Sequence, residues 1–341
     1  MQPYLAFMSD SRSPKSGRPP LDGIRVIDFT RVIAGPLASQ ILSDMGAEVI
    51  KIENPDGGDD TRKGAGPRAG GAAGESHFFM TYNRGKKSVA LDFTKPDGQA
   101  VVHKLLANAD VVLQNFRPGV LNRYGLDYES LKARYPRLIY LSISAYGQTG
   151  PLSDRPGYDP VLQGESGMMS VNGEADGEGL RHAIAVVDTM TGIHSVAAIN
   201  AALYARTSTG KGQHIDCAMA DVAMMLEASH IAGYANTGKV PHPHGNKHAY
   251  ASSYFYDTKD GQIMLAASNH RQNKRLFDTV GRPELGDTDN ETRAKNFGAE
   301  QAVLAGIMKE KSAQEWEDHL QANHVPALRL RAMHEAIADP Q

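Results

Sequence analysis

Cysteine is nearly absent from this chain. Cys217 stands alone among 341 residues, which excludes an intrachain disulfide and suits a reducing compartment. Its neighbourhood, His214-Ile215-Asp216-Cys217-Ala218-Met219, reads as a buried strand with the thiol as a small core residue. Charge of one sign is missing too. A formal net charge of -3 excludes a general nucleic-acid binder, so an anionic ligand must be met by a local cluster of Lys and Arg. No apolar run approaches the roughly 20 residues a membrane span needs. Residues 1–20 hold Pro, Ser and Arg but no apolar core before a cleavage site. They read as a disordered leader rather than a signal peptide, and the chain as cytoplasmic, without a membrane partner.

Several catalytic signatures are also absent. The sequence has no Walker A loop, no Gly-x-Gly-x-x-Gly after a strand, no His-Glu-x-x-His and no Cys-x-x-Cys. Gly164-Glu165-Ser166-Gly167 is off the spacing of a nucleophile elbow. The Gly-rich stretch from Gly64 to Gly74 has no helix immediately behind it. Nicotinamide chemistry is therefore disfavoured. His242, His244 and His248 sit among Pro and Gly and read as a polar loop, not a metal site.

What is present is a globular composition, 41% hydrophobic and 22% charged, in a chain long enough for two domains. Strands are expected at Gly23–Phe29, Ala47–Glu53, Lys87–Phe93, Ala109–Phe116, Arg137–Ser144 and Gln213–Met219. Helices are expected at Leu37–Met45 (opened by Pro36), Pro96–Ala107, Tyr128–Tyr135, Asp188–Arg206 and Asp221–Ala235, with Asn54–Glu75 a loop. This alternation predicts an α/β fold with a Rossmann-like open parallel sheet, whose ligands bind at the carboxyl ends of the strands. The expected large domain is 21–233. After Gly238 the pattern changes: a hairpin at Tyr254–Asp257 and Gln262–Ala267 precedes helices at Asn273–Val280 and Glu300–Lys309, a smaller α+β domain over 234–325.

Asp188 is the residue that chemistry singles out. In Ala185-Val186-Val187-Asp188-Thr189 an apolar run meets a long helical pattern. A carboxylate there is a favoured N-cap. A carboxylate in a dry cleft, kept ionised by a helix N-terminus, is also a nucleophile toward a thioester. The residues alone leave both readings open.

Several stretches together resemble the class III CoA-transferases, the family of formyl-CoA transferase and carnitine CoA-transferase. They include Val26–Pro36, Asp44–Glu53, Gly58–Arg62, Asn83–Ser88, Gln114–Gly119, Gly147–Pro151, Gly157-Tyr158-Asp159 and Thr209–Gln213, in family order. The resemblance implies Asp188 as nucleophile, with an aspartyl anhydride and then an aspartyl-CoA thioester as intermediates. It implies CoA contacts at Ile33, Ala34, Leu91, Asp92, Phe93, Thr94, Asn115, Phe116, Arg117, Arg123, Arg155 and Tyr158, and an oxyanion held by backbone N–H groups of the first βα turn. Coenzyme A enters as substrate, with no tightly bound cofactor and no metal; the partners are an acyl-CoA donor and a carboxylic acid acceptor.

The family also contains 2-methylacyl-CoA racemases, which resemble this chain but place His where it has Tyr158. Tyr is a poor base for an α-proton near pH 7, so a racemase or epimerase is the alternative, as is a non-catalytic CoA-binding relative. Ile33 stands where formyl-CoA transferase has Gln, which points to a different acyl group, of succinyl type. The family's Gly-rich lid is absent, and Pro241–His248 is the stretch expected in its place. An interlocked-ring homodimer is implied. So is a large domain completed from the chain's end, with 326–341 starting the return and the C-terminal part missing.

Overall fold

The structure is a computed structural model that describes residues 17–340 except 65, 72 and 73. The leader expected over 1–20 lies outside these residues up to position 16. The chain divides into two compact units, one of residues up to Asn172 with Gly179–His242, the other of Gly173–Glu178 with Pro243 onward.

The first unit is built on six parallel strands: β1 (Arg25–Asp28), β2 (Glu48–Glu53), β3 (Lys87–Ala90), β4 (Val111–Gln114), β5 (Ile139–Ser144) and β6 (His214–Ala218). Their order is β3-β2-β1-β4-β5-β6. β4 and β5 are buried along their whole length, as near-continuous apolar runs covered on both faces should be. Alternate side chains feed two cores. Val26, Val49, Val111, Leu141 and Ile143 face one layer of helices, and Ile27, Ile50, Ile52, Val112 and Tyr140 face the other.

The helices of this unit are α1 (Ala34–Asp44), α2 (His77–Asn83), α3 (Pro96–Leu106), α4 (Tyr128–Leu131), α5 (Asp159–Glu165), α6 (Met168–Val171), α7 (Val186–Thr209), α8 (Met219–Leu226) and α9 (Ala228–Thr237). Four departures from the sequence expectations stand out. α1 begins at Ala34, before Pro36, because Pro is tolerated in a first turn whose N–H groups have no helical partner. α2, α5 and α6 were not anticipated, being too short for a helical period to show. The helix expected over Asp221–Ala235 is two, broken at Glu227 (φ -90°, ψ 9°). β6 is an edge strand with alternating exposure, not a buried one, and Cys217 is half-buried.

α7 also departs from the expectation about apolar runs. Its 24 residues have the length and apolarity of a membrane span. Val187, Ser195, Val196, Ile199 and Ala202 are nevertheless packed into the core, and Arg206 is tied to Asp110 at 2.8 Å. Gly192 explains how closely α7 meets α1: a Cβ there would lie 2.9 Å from the Ala34 carbonyl oxygen.

The second unit carries a three-stranded antiparallel sheet of β7 (Phe255–Asp257), β8 (Gln262–Leu265) and β9 (Ala327–Arg329). Helices α10 (His270–Thr279), α11 (Asn290–Lys295), α12 (Phe297–Met308), α13 (Ala313–Ala322) and α14 (Met333–Ala338) complete it. Its core holds Tyr256, Ile263, Leu276, Phe277, Leu304, Trp316 and Leu320. β9 pairs with β8, and residues 326–340 group with this unit. The unit also starts at Pro243, not at residue 234, since α9 runs to Thr237 as part of the first.

At the carboxyl ends of β1 and β2 lies a buried network of charges. Lys51 Nζ sits 3.0 Å from an Asp59 carboxylate oxygen and donates to the Thr30 carbonyl at 2.6 Å. Lys86 Nζ reaches Asp28 at 3.2 Å and donates to the Pro36 carbonyl at 2.9 Å. Burial lowers the Lys86 pKa to about 8, against the pull of Asp28. Burial would raise Asp28, but Lys86 and Lys51 hold it below the usual carboxylate range.

Asp59→Ala removes the carboxylate nearest Lys51, leaving only the Thr30 carbonyl and the Asp28 charge to support the buried ammonium, and is expected to cost about 3–5 kcal/mol. Urea unfolding checks this. A single variant within about 1 kcal/mol of wild type, with Lys51→Met/Asp59→Leu no better, removes the network's structural role.

Candidate active site

In an open parallel sheet the ligand crevice forms where strand order reverses, at the carboxyl ends of the strands. Here that point lies between β1 and β4, and the loops leaving both are tied together. The Arg31 N–H donates to Asn115 Oδ1 at 2.9 Å, and Asn115 Nδ2 donates back to the Arg31 carbonyl at 2.8 Å. The next residue, Val32, has φ 73°, a left-handed conformation that a β-branched side chain rarely adopts. Its N–H points at the Asp59 carboxylate, 3.3 Å away. Gly35 is required by the same tight path, since a Cβ would fall 2.3 Å from the Thr30 side chain.

A cavity of about 520 Å³ opens at this point. Its walls are Arg31, Val32, Ile33 and Ala34 from the first turn, Phe93 and Thr94, the segment Asn115–Pro118, Arg155–Tyr158, and Asp188 with Met219. A second cavity, about 320 Å³, shares Arg31, Phe93, Thr94 and Phe116 with the first and adds Leu91, Asp92, Asn54 and Asp56. Phe93 is the hub between them, edge-on to Phe29, Phe116 and Tyr124 at 5.6–5.7 Å. The Arg31 guanidinium lies over the Phe116 ring at 5.1 Å.

Asp188 is in the first turn of α7 and is not its cap. The helix starts at Val186, and the capping position, Ala185, offers no side-chain acceptor. The acceptor comes from α5. One carboxylate oxygen of Asp159 takes the Val187 N–H at 2.7 Å and the Asp188 N–H at 3.0 Å. The Asp188 side chain is thus left to the cavity. Burial, and secondarily the Asp159 carboxylate, push its pKa up to about 7. The expectation of a carboxylate kept ionised by the helix end is corrected: low exposure and a like charge outweigh it. Tyr82 on α2 is the other titratable group coupled to this site. Burial and then the Asp188 charge raise its phenol above the ordinary value.

Of the residues singled out from sequence, Ile33, Ala34, Phe93, Thr94, Asn115, Phe116, Arg117, Arg155, Tyr158 and Asp188 all line the first cavity, and Leu91 and Asp92 the second. Arg123 is the exception: it is exposed on a 3-10 turn (Leu121–Tyr124) and lines neither. Asn115 is committed to the backbone clasp rather than free for a ligand. Two of the first-turn amides expected to hold an oxyanion are committed likewise, the Arg31 and Val32 N–H groups to Asn115 and Asp59; those of Ile33 and Ala34, which line the cavity, are not among them. Pro241–His248, expected as a lid, falls across the division between the two units. Sequence reasoning missed Asp159, though it directly follows Tyr158 in the Gly157-Tyr158-Asp159 motif, and it missed Tyr82, for which no sequence signal existed.

Residues 21–341 match the family model described as CoA-transferase family III. Among curated proteins the chain is similar to a succinate--glutarate CoA-transferase of Agrobacterium fabrum, 43% identical over 95% of this chain and 83% of that protein. It is 38% identical to an acetyl-CoA:oxalate CoA-transferase of Acetobacter aceti, over 96% and 85%. Among solved structures, a CAIB/BAIF family protein from Brucella suis superposes with TM-score 0.84 at 39% identity, covering 95% of this chain and 87% of that one.

The raised Asp188 pKa has a stability consequence. Between the unfolded value of 3.8 and the folded value of about 7, the native state holds a proton the unfolded state has lost, so this residue makes stability fall as pH rises through that window. Asp188→Asn is therefore expected to be more stable than wild type at pH 8, by on the order of 1–3 kcal/mol, and equal to it at pH 4. Thermal unfolding of both proteins at the two pH values checks this; an equal offset at both contradicts it.

Proposed function

The chain belongs to CoA-transferase family III, and from that premise we propose that it moves CoA from an acyl-CoA thioester to a carboxylic acid through Asp188. The observation that carries this reading is the placement of Asp188, on the wall of the switch-point cavity, with its own N–H occupied and, among the described residues, no cation beside its side chain. The Asp188 oxygen attacks the thioester carbonyl, forming an aspartyl anhydride as the C–S bond breaks and CoA leaves as thiolate. The thiolate then attacks the anhydride at the aspartyl carbonyl, giving an aspartyl-CoA thioester and the free donor acid. The acceptor carboxylate attacks in turn, and the steps reverse to release the new acyl-CoA and Asp188. A pKa near 7 suits this: the carboxylate is substantially populated at neutral pH yet more basic, and so more nucleophilic, than an exposed aspartate.

Arg31, Arg117 and Arg155 on the cavity wall supply guanidinium groups for phosphate oxygens of CoA. Tyr158, exposed to 69%, stands where an α-proton base would be needed and supports transfer over racemisation. Ile33 presents an apolar wall. Together with relatives named for succinate and glutarate, it supports a succinyl-type donor. The working form is proposed to be an interlocked homodimer.

Incubation with succinyl-CoA and hydroxylamine, followed by peptide mass mapping, tests the mechanism. A hydroxamate at Asp188 is expected, and Asp188→Ala should lose transfer by roughly 10³-fold or more while remaining folded. Exchange of the α-proton of a 2-methylacyl-CoA with deuterated solvent, without transfer, would instead identify an epimerase. CoA binding with no adduct would identify a non-catalytic relative.

A further inference from the structure

We infer that Asp159 is a positioning residue for this reaction: its buried carboxylate caps the helix that carries Asp188 and fixes how Asp188 enters the cavity. This rests on the assignment of Asp188 as nucleophile.

A helix N-terminus leaves its first N–H groups without helical partners, and a side chain at the cap normally satisfies one of them. In α7 the cap comes instead from a residue nearly thirty positions upstream. Asp159 Oδ2 accepts from both Val187 and Asp188, at 2.7 and 3.0 Å. Its other oxygen is held by Gln163 Nε2, and Gln163 Oε1 accepts the His182 N–H at 2.8 Å. Asp159 is 4% exposed and Gln163 fully buried, so the carboxylate has three donors and no room to turn. The Asp188 Cα is therefore fixed through its own amide.

A purely structural cap has a simpler solution, a Ser or Asn at position 185. Placing a second carboxylate next to Asp188 works against the ionised form of the nucleophile. That repulsion disappears when the Asp188 oxygen becomes acylated and the negative charge departs on the CoA sulfur. The interaction thus differs between the free enzyme and the anhydride, which is the kind of difference that speeds a step rather than merely tightening binding. The other ionisable groups facing this site are Tyr82 from α2, Tyr158 at the start of α5, and Arg31, Arg117 and Arg155 across the cavity. α8 contributes Asp221, which is exposed, and α1 has only Asp44, at its far end beside Arg84.

Asp159→Asn keeps the shape and an acceptor but removes the charge. The expected result, per folded molecule, is a kcat at least tenfold lower, a KM for acyl-CoA within about threefold of wild type, and the acid limb of the pH–kcat profile moved down by about one unit. Asp159→Glu retains the charge with altered reach; it should keep the limb near its wild-type position while kcat falls. A merely structural cap would lower thermal stability and leave both kcat per folded molecule and the limb unmoved, and that result overturns the inference. Should Asp159→Asn not fold, Asp159→Glu decides alone: a displaced limb or an unchanged kcat overturns it. Hydroxylamine trapping of the wild type separates the two readings. No Asp188 adduct defeats the nucleophile assignment and this inference with it. An adduct in the wild type, with kcat and limb unchanged in Asp159→Asn, defeats this inference only.

Discussion

The cavity depends on two buried lysines. Lys51 and Lys86 each face a buried aspartate and each donate to a carbonyl of the first βα turn, Thr30 and Pro36. Between those anchors the chain passes through Val32 in the left-handed region, a conformation costing on the order of 1–3 kcal/mol. Nothing local in Arg31-Val32-Ile33 prefers it. A charge-assisted contact from Asp59, together with the Arg31–Asn115 clasp, holds it there. Taking four charges out of water is unfavourable unless each is paired and hydrogen-bonded. The pairing is complete on this side of the cavity: Glu53, pushed up by burial but held by Arg62 and Ser88, sits at about 2 and closes the outer layer.

On the opposite wall that balance is broken. Among the described residues no cation pairs with Asp188, and the charge nearest to it that matters is another carboxylate. The same buried setting that keeps Asp28 ionised through two lysines makes Asp188 reluctant to ionise. The contrast separates the aspartates around this cleft: Asp28 and Asp59 are paired with lysine, Asp159 is held by two backbone amides and Gln163, and Asp188 has no cation partner among the described residues. The proposed attack by Asp188 would draw on this, because a fully stabilised carboxylate attacks poorly.

Much of the large unit was legible from sequence, and the reason is periodicity. β4 and β5 are continuous apolar runs, and the alternation of strands with ten-residue helical patterns forces a parallel sheet. What escaped were features set by contacts distant in the chain. α2 and α5 are seven residues each, two turns at most, and their stability comes from packing. The end of the chain joins β8 because Ala327–Arg329 fits that edge, which no local pattern in a three-residue strand announces. At the site, ten of the residues named from the resemblance line the main cavity: they sit after the carboxyl ends of β1, β3, β4 and β5 and in the first turn of α7. Arg123 lines neither cavity, because the 3-10 turn that carries it leaves it exposed. Asn115 lies at the cavity with its amide engaged by Arg31, and the Val32 N–H meets Asp59, a pairing of donors and acceptors that sequence does not contain.

A carboxylate in the first turn of a long helix should gain from the partial positive charge of its unsatisfied N–H groups. At α7 those groups are not free to give that gain. The Val187 and Asp188 amides already bond Asp159, whose charge offsets the local field of the helix terminus. With the donors spent and the field cancelled, desolvation is left as the leading influence on Asp188, and its pKa rises to about 7 rather than falling. The position of an acidic residue along a helix is therefore insufficient to assign its ionisation. What decides is which acceptor reached the free amides first, and here it came from α5.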